Sequence, residues 1–146
     1  MMTTEERAGM IRRVLDALWN EGDLGACDEL YAEHCSFHDP TFGIDGVQGL
    51  KDFVRELRMA EPDLHMNLHD VVVSEGMSAQ RFTLGATHKG EFRGLPATGK
   101  TYVMTGLMMG KWEGDRIVEE WTNYDALGAF QQLGFIPERI IHESTA

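Results

Sequence analysis

The sequence predicts an α+β domain in which three N-terminal helices pack on a strongly bent antiparallel sheet and a short helix closes the chain. Three observations predict it. Before Pro62 the apolar residues repeat at helical spacing; after it they alternate with polar ones. The alternating segments are joined by short glycine-containing turns, which makes consecutive strands antiparallel neighbours. The 146 residues fit one ordinary domain, read here as 1–146, and a chain of this size buries roughly 70% of its unfolded surface.

The first helix opens at the capping box formed by Thr3 and Glu6 and carries Met10, Ile11, Val14, Leu15 and Leu18 to about Asn20. A second, short helix fits Asp23 to Glu33, with Asp23 as N-cap and Leu24, Cys27, Leu30 and Tyr31 on one face. Cys35 to Pro40 reads as a short strand. The third helix starts from a capping pair, Asp45 and Gln48, buries Val47, Leu50, Phe53, Val54 and Leu57, and ends before Pro62. Four strands follow, over Met66–Ser74, Ser78–His88, Lys100–Trp112 and Arg116–Tyr124. The turns at Gly76 and Gly114 are tight, whereas Lys89 to Gly99 is long enough for a lid. Leu127 to Leu133 forms the last helix, stopped by Gly134 and Pro137.

Composition excludes several classes. Thirteen Lys and Arg against 24 Asp and Glu give a formal charge of -11, which repels a phosphate backbone and an anionic leaflet; neither nucleic acid nor membrane is expected as a partner. The segment MMTTEERAGM lacks the apolar stretch of a signal peptide, and a cytoplasmic location is expected. The two cysteines, Cys27 and Cys35, match neither a zinc pair nor a disulfide scaffold and are read as reduced, buried thiols. The six histidines show no helical i, i+4 pair, and no metal is expected. The loop from Gly90 to Gly99 is neither a P-loop nor a dinucleotide fingerprint.

The segments Trp19-Asn20-Glu21-Gly22-Asp23, His38-Asp39-Pro40, Pro62-Asp63-Leu64, Thr87 through Gly99, Glu119-Glu120-Trp121 with Asp125, and Gln131-Gln132-Leu133-Gly134 run in order along nearly the whole chain. Together they resemble the SnoaL-like polyketide (ester) cyclases. That resemblance implies the cone-shaped fold of nuclear transport factor 2, ketosteroid isomerase and scytalone dehydratase, with a deep apolar cavity. It also implies ring closure by intramolecular aldol addition without metal or cofactor, and an acid near the end of the last strand that moves the proton. Asp125 occupies that place. Three positions depart from the family's pattern: Ala86 replaces a common Gly, Ala97 a common Pro, and Lys111 lies where antibiotic cyclases carry a histidine.

Each candidate has two readings. With period 2 from Ile117, the last strand puts Glu119, Trp121, Asn123 and Asp125 on one face; if that face is inward, an apolar cavity raises the Asp125 pKa and suits it to proton transfer. Asp125 also directly precedes a helix, where it is a favoured N-cap. His88 either bonds a substrate carbonyl or passes a proton at the cavity rim, or is a loop histidine bonded to a backbone carbonyl. His38 faces the cavity or belongs to a His-Asp-Pro turn. Arg81 pairs internally with Glu119 or anchors a ligand carboxylate. Trp19, Phe53, Met104, Met108 and Trp121 line a pocket or fill the core.

The leading functional expectation is an acid/base enzyme acting on a small apolar carbonyl compound, with Asp125 and His88 as its catalytic groups. The competing one is a non-catalytic binder of a small hydrophobic ligand. Outward Val103, Thr105, Leu107 and Met109 supply an apolar strip that points to a homodimer.

Overall fold

The computed structural model describes residues 1–138, so the last eight residues of the expected 1–146 domain lie outside the described residues. Thr3 caps helix α1 (Thr4–Leu15) by accepting the Glu6 N–H at 3.1 Å, and Met10, Ile11, Val14 and Leu15 are buried along one face. The helix then widens into a π-helical turn, Asp16–Asn20. Asn20 uses its amide as a strand would: Nδ2 donates to the Met66 carbonyl at 2.9 Å and Oδ1 accepts the Met66 N–H at 2.7 Å. Strand β2 (His65–Val73), to which Met66 belongs, is an outer strand of the sheet, so this contact closes part of a free edge.

The second helix is shorter than expected. It consists of a 3-10 turn, Leu24–Ala26, and one α-turn, α2 (Cys27–Leu30), after which the backbone becomes strand β1 (Tyr31–His38). Leu24, Cys27, Leu30 and Tyr31 fit helical spacing, yet from Tyr31 onward the backbone pairs with β5 (Arg116–Tyr124), a long-range ladder that local periodicity does not reveal. That pairing is parallel, so the sheet is mixed and not wholly antiparallel. Helix α3 (Gly46–Ala60) follows Asp45, whose side chain makes no capping bond; Gln48 donates instead to Asp52 at 3.1 Å. The expected capping pair is therefore absent, and the turn rests on Gly46 in the left-handed region at φ 69°.

Strands β2 (His65–Val73), β3 (Met77–Thr87), β4 (Thr101–Glu113) and β5 form the antiparallel meander, giving the order β1-β5-β4-β3-β2. The sheet curls around α3, which turns Val47, Leu50, Phe53, Val54 and Leu57 toward its concave face; burying each side chain contributes roughly 1.5–3 kcal/mol. Helix α4 (Ala126–Leu133) ends at Gly134, left-handed at φ 86°. At the narrow end Arg7 is buried and donates to the Glu75 and Gly114 carbonyls, both at 2.7 Å, tying α1 to two hairpin turns.

One irregularity in β5 decides the chemistry of the interior. Trp112 of β4 opposes Ile117 and Lys111 opposes Glu119, so Val118 is an extra residue without a partner on β4. The bulge turns the following side chains over. Ile117 and Glu120 are buried on the inner face, while Glu119 lies on the outer one. The uniform alternation expected from Ile117 through Asp125 is broken at that point.

Candidate active site

An apolar cavity lies between the concave sheet, α3 and α4, with about 1040 Å³ of atom-free space counted out through its open mouth. Trp19, Phe53, Met104 and Met108 line it. Phe42, Phe53 and Phe92 form an edge-packed aromatic wall with ring centroids 5.2 to 5.6 Å apart. The segment Gly90–Gly99 folds over this wall: Phe92 pairs with Leu95 across a tight turn, and both side chains reach the cavity. Arg93, left-handed at φ 44°, holds the flap by donating to Glu56 at 2.8 Å and to the Gly43 carbonyl at 3.1 Å.

Two carboxyl groups stand inside, each met by a tyrosine. Glu120 is fully enclosed, and the Tyr31 hydroxyl lies 2.9 Å and 3.1 Å from its two oxygens. Removal from water raises its pKa to about 7, against the lowering effect of the Tyr31 bond. Glu61, immediately after α3, accepts from the Tyr102 hydroxyl at 2.5 Å. Burial raises its pKa to about 7 as well, with the Tyr102 bond opposing and the nearby Asp63 charge adding. A carboxyl poised near neutrality can both take and return a proton. Thr122 and Tyr124 follow Glu120 on the same inner face, and the Tyr124 hydroxyl donates to Asp39 at 2.7 Å.

The remaining expected site residues separate. Asp125 is exposed, lies outside the cavity lining, and accepts the Gly128 N–H at 2.9 Å as the N-cap of α4. The placement corrects its expected inward position, because the bulge at Val118 gives the inner face to Glu120, Thr122 and Tyr124. Glu119 and Trp121 stand on the outer face: Glu119 Oε2 is 2.8 Å from His38 Nε2, and Trp121 stacks on the His38 ring at 5.5 Å. His38 contributes to the cavity wall, but its ring is turned outward to these two partners. Arg81 is exposed and donates to Asp70 at 2.7 Å, so it neither pairs with Glu119 nor reaches the cavity. His88 does line the cavity and is 1% exposed, with Nδ1 3.3 Å from the Thr98 hydroxyl.

Sequence reasoning missed Glu61, Tyr102, Tyr31 and Glu120 as site residues. Glu61 left a signal: it continues the spacing Leu50, Val54, Leu57 along the buried face of α3. Glu120 left none without the bulge. Among the described residues no cluster of three or more His, Cys, Asp and Glu has metal-binding geometry, and no helix is long and apolar enough to cross a membrane. Cys27 and Cys35 are free and buried, and burial raises both thiols to about 12.

A comparison with curated protein sequences gave no match. Solved structures match well. A protein assigned as a polyketide cyclase from Acidithiobacillus ferrooxidans is 30% identical, with TM-score 0.75 over 90% of this chain and 97% of that one. IdmH from Streptomyces antibioticus, likewise assigned as a polyketide cyclase, is 29% identical, with TM-score 0.73 over 88% and 98%. TsrD from Streptomyces laurentii, at 24% identity and TM-score 0.78 over 88% and 97%, shares the fold. The four helices and the curved five-stranded sheet found among the described residues are those of the nuclear transport factor 2-like fold. Residues 9–133 match the SnoaL-like polyketide cyclase family, and the chain belongs to it.

Proposed function

We propose that the protein catalyses cofactor-independent acid/base chemistry on a small, apolar carbonyl compound, with intramolecular aldol ring closure as the family's reaction and Glu120 as the proton-transferring group. The observation that carries this is the Glu120 carboxyl, enclosed in an apolar cavity, bonded to Tyr31 and held near pKa 7. Its ionised form removes a proton from the carbon next to a carbonyl, leaving an enolate. The enolate carbon adds to a second carbonyl of the same molecule, forming the ring C–C bond, and the new alkoxide recovers the proton from Glu120. In this reading the Thr122 hydroxyl, from a residue that lines the same cavity, donates to the enolate oxygen. His88 lies beyond the other end of β4 and serves a different part of the ligand.

The test is exchange of the α-hydrogens of 1-tetralone for deuterium near neutral pH, followed by proton NMR. The wild-type protein accelerates exchange, and Glu120→Gln lowers the acceleration about 10²–10⁴-fold. Full exchange by Glu120→Gln would sink the proposal. A second reading, a binding protein without turnover, is supported by both carboxyls already having tyrosine partners; it predicts saturable 1-tetralone binding with no exchange. Val103, Leu107 and Met109, exposed on the outer face of β4, support pairing of two copies, which sedimentation equilibrium would detect.

A further inference from the structure

Glu120 uses one end of the cavity, and the other end holds polar groups that this chemistry leaves unused. Glu61 and Tyr102 lie there, beside the start of β4, while Glu120 faces the far part of the same strand, opposite Gly110. His88 sits next to them, beyond the end of β3, its backbone bonded to Lys100. Its Nε2 is buried without a hydrogen-bond partner among the described residues. The Lys100 N–H donates to the Thr98 hydroxyl oxygen at 3.3 Å, which leaves the Thr98 hydrogen free to turn onto His88 Nδ1 at 3.3 Å. Nδ1 then accepts, and the ring proton belongs on Nε2, a donor with nothing to bond. A buried, unsatisfied donor costs free energy that a ligand oxygen would recover.

The charge of the wall narrows the ligand further. Asp39, Glu61 and Glu120 line the cavity, and no Lys or Arg among the described residues does. A carboxylate or phosphate ligand would shed its hydration and meet three carboxyl groups with no Lys or Arg among the described residues to offset its charge.

We propose that Glu61, Tyr102 and His88 form a second ligand-binding station under the flap, so that the cavity selects an uncharged, elongated apolar molecule bearing an oxygen at each end. His88 donates to a carbonyl or hydroxyl oxygen, and the outer Glu61 oxygen receives a hydroxyl. The inference deepens the proposed function by naming the substrate class, and it rests on the cavity holding the ligand, not on turnover.

Three rigid probes test it: 4,4′-dihydroxystilbene, 4-hydroxystilbene and stilbene-4-carboxylate, titrated calorimetrically into the full chain. Wild type should bind the dihydroxy probe about tenfold more tightly than the monohydroxy one, the worth of one buried hydrogen bond to a charged or polarised group. The carboxylate should bind at least about tenfold more weakly than the monohydroxy probe. In Glu61→Leu the gap between the hydroxylated probes should close to about twofold. His88→Leu provides the same readout if circular dichroism shows Glu61→Leu unfolded. On saturation with the dihydroxy probe, the His88 ring and Tyr102 NMR signals should shift. A persistent gap in the variants, equal binding of the carboxylate, or unshifted His88 and Tyr102 signals overturns the station while leaving Glu120-dependent exchange intact. Failure of all three probes to bind overturns it together with the cavity's ligand-holding role.

Discussion

Tyr31 opens the first strand with its hydroxyl set between the two carboxylate oxygens of Glu120 in the last, at 3.1 Å and 2.9 Å. Enclosure favours the protonated acid, whereas this donor favours the carboxylate, so the pair opposes its own desolvation. Tyr31→Phe removes the opposing influence. The Glu120 pKa should therefore rise above about 7, by about one unit, as read from the side-chain carboxyl carbon signal across a pH series. An unchanged or lower midpoint would show that the tyrosine does not stabilise the charge.

The two raised acids fix the pH dependence of folding. In the unfolded chain Glu61 and Glu120 titrate near 4.5, and in the native state near 7. Between those values the native state holds more protons than the unfolded one, so stability falls as pH rises and levels off above pH 7. Glu120→Gln removes that dependence for the more deeply enclosed group. Its melting temperature should exceed that of wild type at pH 8 by the equivalent of on the order of 1–3 kcal/mol, and the difference should shrink toward pH 4.5. The reverse order of pH effects in scanning calorimetry would contradict the assignment.

Asp125 is expected to serve stability, not proton transfer. Asp125→Ala should cost about 1 kcal/mol in urea unfolding, Asp125→Asn much less, and neither should reduce α-hydrogen exchange. A Cβ on Gly128 would collide with the Asp125 carboxylate, so Gly128→Ala should reproduce the loss of the cap in spite of alanine's higher helix propensity.

Arg7 joins the first helix to both hairpin turns at the narrow end, and its guanidinium lies 4.8 Å from the Trp112 ring. Arg7→Ala leaves the Glu75 and Gly114 carbonyls without their donor. The expected loss is about 2–4 kcal/mol, a fall in melting temperature of roughly 5–15 °C. A loss below about 1 kcal/mol would mean that water replaces the side chain.

Gly106 faces the Phe82 ring so closely that a Cβ there would strike it. Since Phe82 lines the cavity, Gly106→Ala should push the ring into that space, weakening 4-hydroxystilbene binding and costing roughly 1–3 kcal/mol of stability. Unchanged affinity would show that Phe82 moves elsewhere.

Much of this architecture was legible in the residues. Thr3 caps as its capping box implies, and α4 and the meander fall where periodicity puts them. What escaped was long-range. Tyr31 satisfies a helical pattern as well as a strand, and only pairing with Ile117 settles its backbone. Arg81 and Glu119 sit on faces whose direction depends on the whole sheet, and Asp125 suited two local roles, of which it takes the capping one.

Val118 carries the largest consequence for so small a residue. Ironing out the bulge with every residue kept, so that Val118 opposed Lys111 and Glu119 opposed Gly110, would exchange the roles of two adjacent glutamates, drawing in the one now bathed by solvent and expelling the one now sheltered. What this fold presents to its guest is thus written partly in pairing: two relatives with the same letters, one bulged and one regular, would offer unlike interiors.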